Sequence, residues 1–390
     1  MQHLMPTYNR LPIAFTRGEG VWLEDVDGNK YLDAISGIAV CGLGHCHADI
    51  STAICAQAST LMHTSNLYEI PLQTQLADRL AKLTGMDKVF FANSGAEANE
   101  AAIKIARLYG HKKGIDMPSI LVCEGSFHGR TMATLSATGN RKVRAGFEPL
   151  LRGFSRIPFN DLNAVRDAAS NDMNVVAILV EPVQGEGGIN IPDEGYLTEL
   201  RNICNDNGWL LMLDEIQTGL CRSGKWFAHQ HAGIVPDVMT LAKGLGNGMP
   251  VGACIVNSEA AQVFEPGSHG STFGGNPLAS AAALAVLDTL ESKNLADQAA
   301  QSGKLLQKLF SDALAGKPGV KDIRGLGLLL AIELDRPCGE LVMKAAEKGL
   351  LINVTVETVI RLLPPLICSE TEIREIADRL IPLIEEFLIK

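Results

Sequence analysis

The chain has 390 residues, too many for one small core, and its 46% hydrophobic, 20% charged and 5% aromatic side chains exclude a disordered or fibrous protein. Its 34 basic and 44 acidic residues give a formal charge of −10, which opposes a nucleic-acid backbone or an anionic membrane as a general partner and favours small molecules. Met1 to Arg10 hold no basic cluster followed by an apolar run, and no stretch reaches the ~18 apolar residues of a membrane helix, so a cytoplasmic protein is expected.

In chain order, Val21 to Leu32 reads as a hairpin turning at Asp27-Gly28. Lys88 to Phe91 is a short apolar strand, Ala96 to Tyr109 a helix, and Ser119 to Cys123 another strand. Val175–Val180 and Trp209–Leu213 are continuous apolar runs, the pattern of strands buried on both faces of a largely parallel sheet, with a helix between them at Tyr196–Asn207. Val251–Val256 adds a strand, and Pro277–Leu290 an alanine-rich helix leading onward. Beyond it, helices at Ser302–Ala315 and Glu370–Ile389 surround strands Leu328–Leu334 and Leu351–Val354, a smaller α+β unit.

Nine cysteines at 41, 46, 55, 123, 204, 221, 254, 338 and 368 form no Cys-x-x-Cys pair and read as reduced thiols. Gly44-His-Cys-His47 has metal-ligand residue types, but no second cluster completes four ligands, so no metal is expected.

The chemistry gathers around a lysine. An apolar strand delivers Lys243 into the glycine-dense loop Gly244 to Pro250, where an amine could capture an aldehyde cofactor and glycine lets backbone approach a flat ring. Taken alone it also reads as a surface lysine in a flexible loop. Asp214 ends an apolar run at the carboxyl edge of the sheet, where a carboxylate would keep a cofactor pyridine protonated; a helix cap is the other reading. Asn93 to Ala98 turns from strand to helix, so an anion or an ordinary N-cap fits there. Phe127 could lie on a ring and Arg130 could clamp a carboxylate, although an arginine on a loop is commonly just solvated. His128 has the makings of a general base, a task that Lys243 already supplies.

Together these segments resemble the class III (ornithine-type) aminotransferases of fold type I over nearly the whole chain. The likeness rests on Asn93–Asn99, Phe127–Arg130, Glu181–Glu186, Leu213–Gly219, Leu241–Gly244 and His269–Pro277, in family order. It implies an α/β large domain with a mostly parallel seven-stranded sheet, a smaller α+β domain, and pyridoxal phosphate as cofactor. The expected division is 1–50 joining the small domain, 51–285 as the large domain and 286–390 as the small one.

Site roles follow from the same resemblance. Lys243 would hold the cofactor covalently, Asp214 would pair with its ring nitrogen and Gln217 with its ring oxygen. Gly95 and Ala96 would bind the phosphate, Phe127 and Ile216 would cover the two ring faces, and Glu215 would belong to the same cofactor-binding turn. Thr272 would reach the phosphate of a neighbouring subunit, making a homodimer with shared active sites the working unit.

Within the class, Tyr8–Ile13, Gly44–His47, His63–Asn66 and Arg361–Leu366 resemble members that take N2-acetyl-L-ornithine as donor and 2-oxoglutarate as acceptor, yielding glutamate, in arginine biosynthesis. Arg130 and Ser271 would then contact the donor, Arg361 would hold the 2-oxoglutarate α-carboxylate, and Glu186 would pair with Arg361 while the other substrate is present. Such a switch has a physical reason, because an arginine is not stably buried without a partner between substrates. Cys221–Trp226 departs mildly from the family's Gly-Arg-Thr-Gly sequence, and His231 falls at a variable place. Other ω-amino donors (succinylornithine, succinyldiaminopimelate, ornithine, 4-aminobutyrate), a decarboxylase, racemase or aminomutase, and a non-catalytic binding protein share this scaffold as alternatives.

Overall fold

The computed structural model describes residues 3–389. Its centre is a seven-stranded sheet in the order Lys88–Ala92, Gly252–Val256, Val238–Leu241, Leu210–Asp214, Val175–Val180, Ser119–Cys123, Phe154–Ile157. Gly252–Val256 pairs antiparallel with both neighbours and the remaining pairings are parallel. This is the mostly parallel α/β sheet expected from the apolar runs.

Side-chain alternation divides the core into two layers. Ile120, Val122, Ala177, Leu179, Leu210 and Met212 face one way and pack with Ala101, Ala102 and Ile105 of the helix Gly95–Lys112. Leu121, Cys123, Ile178, Val180, Leu211 and Leu213 face the other and pack with Leu197, Leu200 and Ile203 of the helix Tyr196–Asn207. Because both faces are covered, the strands are apolar throughout instead of alternating in polarity. Each fully buried Leu or Ile contributes roughly 1.5–3 kcal/mol, enough to fix the register on which the site depends.

Two four-stranded sheets flank this core. One joins Phe15–Glu19, Trp22–Asp25 and Lys30–Asp33 to Leu350–Leu351, so the N-terminal hairpin pairs with a strand more than 300 residues away in sequence. The other has the order Val320–Leu326, Leu329–Leu334, Val359–Leu362, Asn353–Thr355, all antiparallel. The expected single strand Leu351–Val354 is thus two strands in different sheets, because the chain changes partner at Ile352. The helix expected from Ser302 begins at Leu295, directly after Asn294 turns the backbone left-handed at φ 48°.

One close approach in this region is exacting. A Cβ added to Gly303, on the helix Leu295–Leu314, would lie 1.9 Å from the carbonyl oxygen of Gly327, in the turn before Leu329–Leu334. Gly303→Ala is therefore expected to destabilise the protein by at least about 1–3 kcal/mol, read as a lower denaturant midpoint with unchanged slope. Gly339→Ala, whose added Cβ meets nothing within 4 Å, should stay within about 0.5 kcal/mol of the parent. Equal midpoints for the two variants would contradict the packing assigned to Gly303.

Candidate active site

Strand register carries two carboxylates to one edge. Val180 pairs with Leu213 in adjacent parallel strands, so the next residues, Glu181 and Asp214, emerge side by side at the carboxyl ends. Asp214 itself pairs with Thr240 on the following strand, and Lys243 lies three residues further on. Lys243 opens a short 3-10 turn with φ 42°, a left-handed conformation rare for a residue with a side chain and a form of strain that clusters at functional sites. The edge of the sheet is the usual ligand position in such folds.

Asp214 is buried and held on both oxygens. Oδ2 accepts from Asn99 Nδ2 at 2.7 Å and lies 2.8 Å from His128 Nδ1, while Oδ1 accepts from Ile216 N at 3.1 Å. Asn99 is fixed in turn, donating to the His128 carbonyl at 2.8 Å and accepting from Thr240 Oγ1 at 2.8 Å. His128 therefore supports Asp214, and its Nε2 is buried without a hydrogen-bond partner. Glu181 ties two loops together, its Oε2 accepting from Phe127 N at 3.0 Å and its Oε1 from Gly185 N at 3.2 Å. Burial pushes its carboxyl up to about 7, with the Asp214 charge adding to the rise and His128 opposing it.

These groups surround a cavity of about 390 Å³. Lys243 enters it, its amine held below the usual lysine range by burial, against the pull of Glu186. At one end the helix Gly95–Lys112 begins, with Ser94 Oγ accepting from Glu97 N at 3.3 Å, so the first-turn N–H groups of Gly95 and Ala96 have no partner within the helix. A Cβ on Gly95 would lie 2.7 Å from the Ile216 side chain, which brings that helix end close to the wall formed by Ile216.

Phe127 and Ile216 both line the cavity, as does Gln217, whose buried Oε1 lacks a partner. Helix N–H groups, two apolar side chains and uncommitted polar atoms suit a flat ring with an anionic tail, so the residues present fit the expected pyridoxal phosphate.

At the rim, Arg361 is 1% exposed and donates through Nη1 to Glu186 Oε1 at 2.6 Å, while its Nη2 donates to Asn353 Oδ1 at 2.8 Å. Burial alone would raise the Glu186 carboxyl, but Arg361 and Lys243 outweigh it and hold the group below its ordinary range. Arg130 is exposed at the cavity edge, its guanidinium 5.7 Å from the centre of the Phe127 ring.

Lys243, Asp214, Gly95, Ala96, Phe127, Ile216, Gln217, Arg130 and Glu186 thus line one cavity, with Arg361 directly behind Glu186. Three other anticipated residues lie elsewhere. The Glu215 carboxylate is buried away from the cavity, accepting from Ala228 N, His229 N and Thr218 Oγ1 and meeting His229 Nδ1 at 2.9 Å, so its side chain is committed to the protein. Thr272 is exposed. Ser271 Oγ is within 3.3 Å of Asn93 Nδ2, a neighbour of the cavity.

Sequence reasoning assigned no role to Glu181, Asn99 or Thr240. Glu181 was within reach of it, since it follows an apolar strand just as Asp214 does. Among the described residues no cluster of three or more His, Cys, Asp or Glu side chains is arranged to hold a metal.

Residues 4–384 match the model of the family Aminotransferase class-III. The chain is 58% identical over 388 residues to the acetylornithine aminotransferase of Nitrosomonas europaea, covering 100% of this chain and 99% of that one. It superposes with a TM-score of 0.95, at 37% identity, on the ornithine aminotransferase of Toxoplasma gondii, a structure with partial occupancy of pyridoxal phosphate at its active site. That superposition covers 100% of this chain and 94% of the other. The acetylornithine aminotransferase of Elizabethkingia anophelis gives a TM-score of 0.89 at 36% identity, with 98% and 96% coverage.

The position of Glu181 sets a pH dependence. Burial pushes its carboxyl up to about 7 in the folded protein, above the ~4.3 of an unfolded chain, so the native state holds the extra proton between those values and stability falls as pH rises through them. Glu181→Gln should flatten that decline, whatever its effect at a single pH. Urea unfolding at pH 5 and pH 8 tests this, and parallel losses for parent and variant would contradict the assignment.

Proposed function

The chain belongs to the class III aminotransferase family, and from that premise we propose that it moves the δ-amino group of N2-acetyl-L-ornithine to 2-oxoglutarate, forming N-acetyl-L-glutamate 5-semialdehyde and L-glutamate. This is the acetylornithine transaminase step of arginine biosynthesis, run in the cytoplasm. The observation that carries it is the Arg361–Glu186 pair beside the cavity: a buried cation whose partner is a partly exposed carboxylate. Such a pair suits one site that must admit first a donor that presents no carboxylate to Arg361, then a diacid that does.

Pyridoxal phosphate, when bound, supplies the carbonyl that receives the amino group and a ring that withdraws electrons from the reacting carbon. Asp214 would hold the ring nitrogen in its protonated state. Asn99 and His128 fix the position from which it does so. Phe127 and Ile216 would cover the ring faces, Gln217 would meet the ring oxygen, and the Gly95 and Ala96 N–H groups would take the phosphate.

Lys243, attached to the cofactor at rest, would afterwards move a proton at the substrate carbon that carries nitrogen. Its amine is suited to this because burial holds it below the usual lysine range, closer to neutral pH. Arg130 would bind the donor α-carboxylate with Ser271 nearby, and Arg361 the α-carboxylate of 2-oxoglutarate once Glu186 swings aside. Glu215 would act through the protein, fixing the turn that carries Asp214, Ile216 and Gln217.

The same reading makes the working unit a homodimer in which Thr272 reaches the partner's phosphate site. Its support is that Phe273, next to Thr272, and Met62, Leu67 and Tyr68, in the segment that Asn66 ties to the Ser271 carbonyl through its Nδ2 at 3.0 Å, are exposed apolar side chains. Residues 1–50, 51–285 and 286–390 would be the structural units. The pairing of Lys30–Asp33 with Leu350–Leu351 supports joining the first to the third.

A panel of ω-amino donors with 2-oxoglutarate, ranked by kcat/KM, tests the assignment. N2-acetyl-L-ornithine should lead ornithine, 4-aminobutyrate and the succinylated donors, and a preference for unacylated ornithine would overturn the donor while leaving the class intact. Lys243→Ala should abolish the visible band that arises from the bond between lysine and cofactor and slow transfer by about 10²–10⁴. An active Lys243→Ala enzyme would remove the lysine from the reaction.

A further inference from the structure

The loop that carries Glu186 is gripped along its main chain by side chains of one sheet. Arg361 Nη1 donates to the Gly185 carbonyl at 3.2 Å and Thr355 Oγ1 to the Glu186 carbonyl at 2.6 Å. Arg324 Nη2 donates to the Gly188 carbonyl at 2.6 Å and its Nε to the Ile189 carbonyl at 2.9 Å. All three residues belong to the antiparallel sheet Val320–Leu326, Leu329–Leu334, Val359–Leu362, Asn353–Thr355. Arg324 is anchored in turn by Glu333 at 2.7 Å and Asp322 at 2.9 Å.

This grip decides how the rim can move. With its carbonyl held by Thr355, the Glu186 main chain is fixed to the sheet that also carries Arg361, and the motion left to the carboxylate is side-chain rotation. We propose that Thr355 is a positioning residue for substrate selection, holding the Glu186 main chain so that its carboxylate covers Arg361 whenever the amino donor occupies the site. The proposal rests on the two-substrate reading above.

Without the hydroxyl, the Glu186 carbonyl turns to water, the loop shifts and the carboxylate loses its register with Arg361. A half-covered guanidinium then faces a part of the amino donor that brings it no carboxylate, the donor's own being held at Arg130, which is unfavourable. A substrate whose own carboxylate pairs with Arg361 suffers no such penalty. The two half-reactions should therefore separate.

The test uses holoenzyme in single-turnover half-reactions, with N2-acetyl-L-ornithine and L-glutamate as alternative amino donors, for the parent, Thr355→Val and Thr355→Ser. Valine keeps the shape and removes the donor, whereas serine keeps the donor. Thr355→Val is expected to lose about three- to tenfold in kcat/KM for acetylornithine relative to glutamate, the order of one neutral hydrogen bond. Thr355→Ser should stay within about twofold of the parent on the same scale.

Equal losses on both substrates, no loss on either, or a serine variant as impaired as valine would overturn the proposal. A parent enzyme that reacts with glutamate but not with acetylornithine would overturn the donor assignment instead. Thr355 is then judged, by the same ratio, on the ω-amino donor that the panel ranks first.

Discussion

The site depends on Asp214 being held still at the end of a buried parallel strand. Its two oxygens take hydrogen bonds from Asn99 and the Ile216 main chain and meet the His128 imidazole, while Asn99 is itself fixed by Thr240 and the His128 carbonyl. Three consecutive features of the sheet converge there: the strand ending in Asp214, the next strand bearing Thr240, and the turn that presents Lys243. In the proposed function a shift of Asp214 would take away the partner of the ring nitrogen. Buried polar networks of this kind impose one geometry because any unpaired member is costly.

Charge balance is the second constraint. Glu181, Asp214, Glu186, Lys243 and Arg361 share one neighbourhood, and none of them could be buried alone at reasonable cost. Glu186 answers Arg361, while burial holds the Lys243 amine below its usual range and pushes the Glu181 carboxyl up, both toward their neutral forms. In the proposed function substrate exchange would go with charge exchange: a diacid that displaced Glu186 would bring its own carboxylate to Arg361. Tethering the Glu186 main chain to the Arg361 sheet would keep that exchange local.

Much of this was legible in the sequence because apolar runs report strands buried on both faces. Val175–Val180 and Glu370–Ile389 lie where periodicity puts them, and the place of Asp214 follows from the rule that ligands gather at the carboxyl edge of such sheets. The site beyond them was less legible. Asn99 reaches Asp214 only because the helix Gly95–Lys112 crosses the sheet at one height, and no local pattern encodes that height. Glu215 looked like part of the cofactor turn from its place beside Asp214, yet in a strand exit successive side chains point apart, and Glu215 faces His229. The division of Leu351–Val354 between two sheets was hidden for a related reason, since a change of pairing partner leaves the hydrophobic pattern intact.

The central claim is that Asp214, oriented by its network, activates the cofactor that Lys243 holds. Asp214→Asn keeps the size of the side chain and removes the charge that would keep the ring nitrogen protonated. The direct measurement is the single-turnover rate of the first half-reaction in this variant, with circular dichroism and cofactor absorbance as controls for fold and occupancy. A folded, cofactor-loaded variant slowed by about a hundredfold or more is the predicted result. A folded and loaded variant that reacts at the parent rate would contradict it.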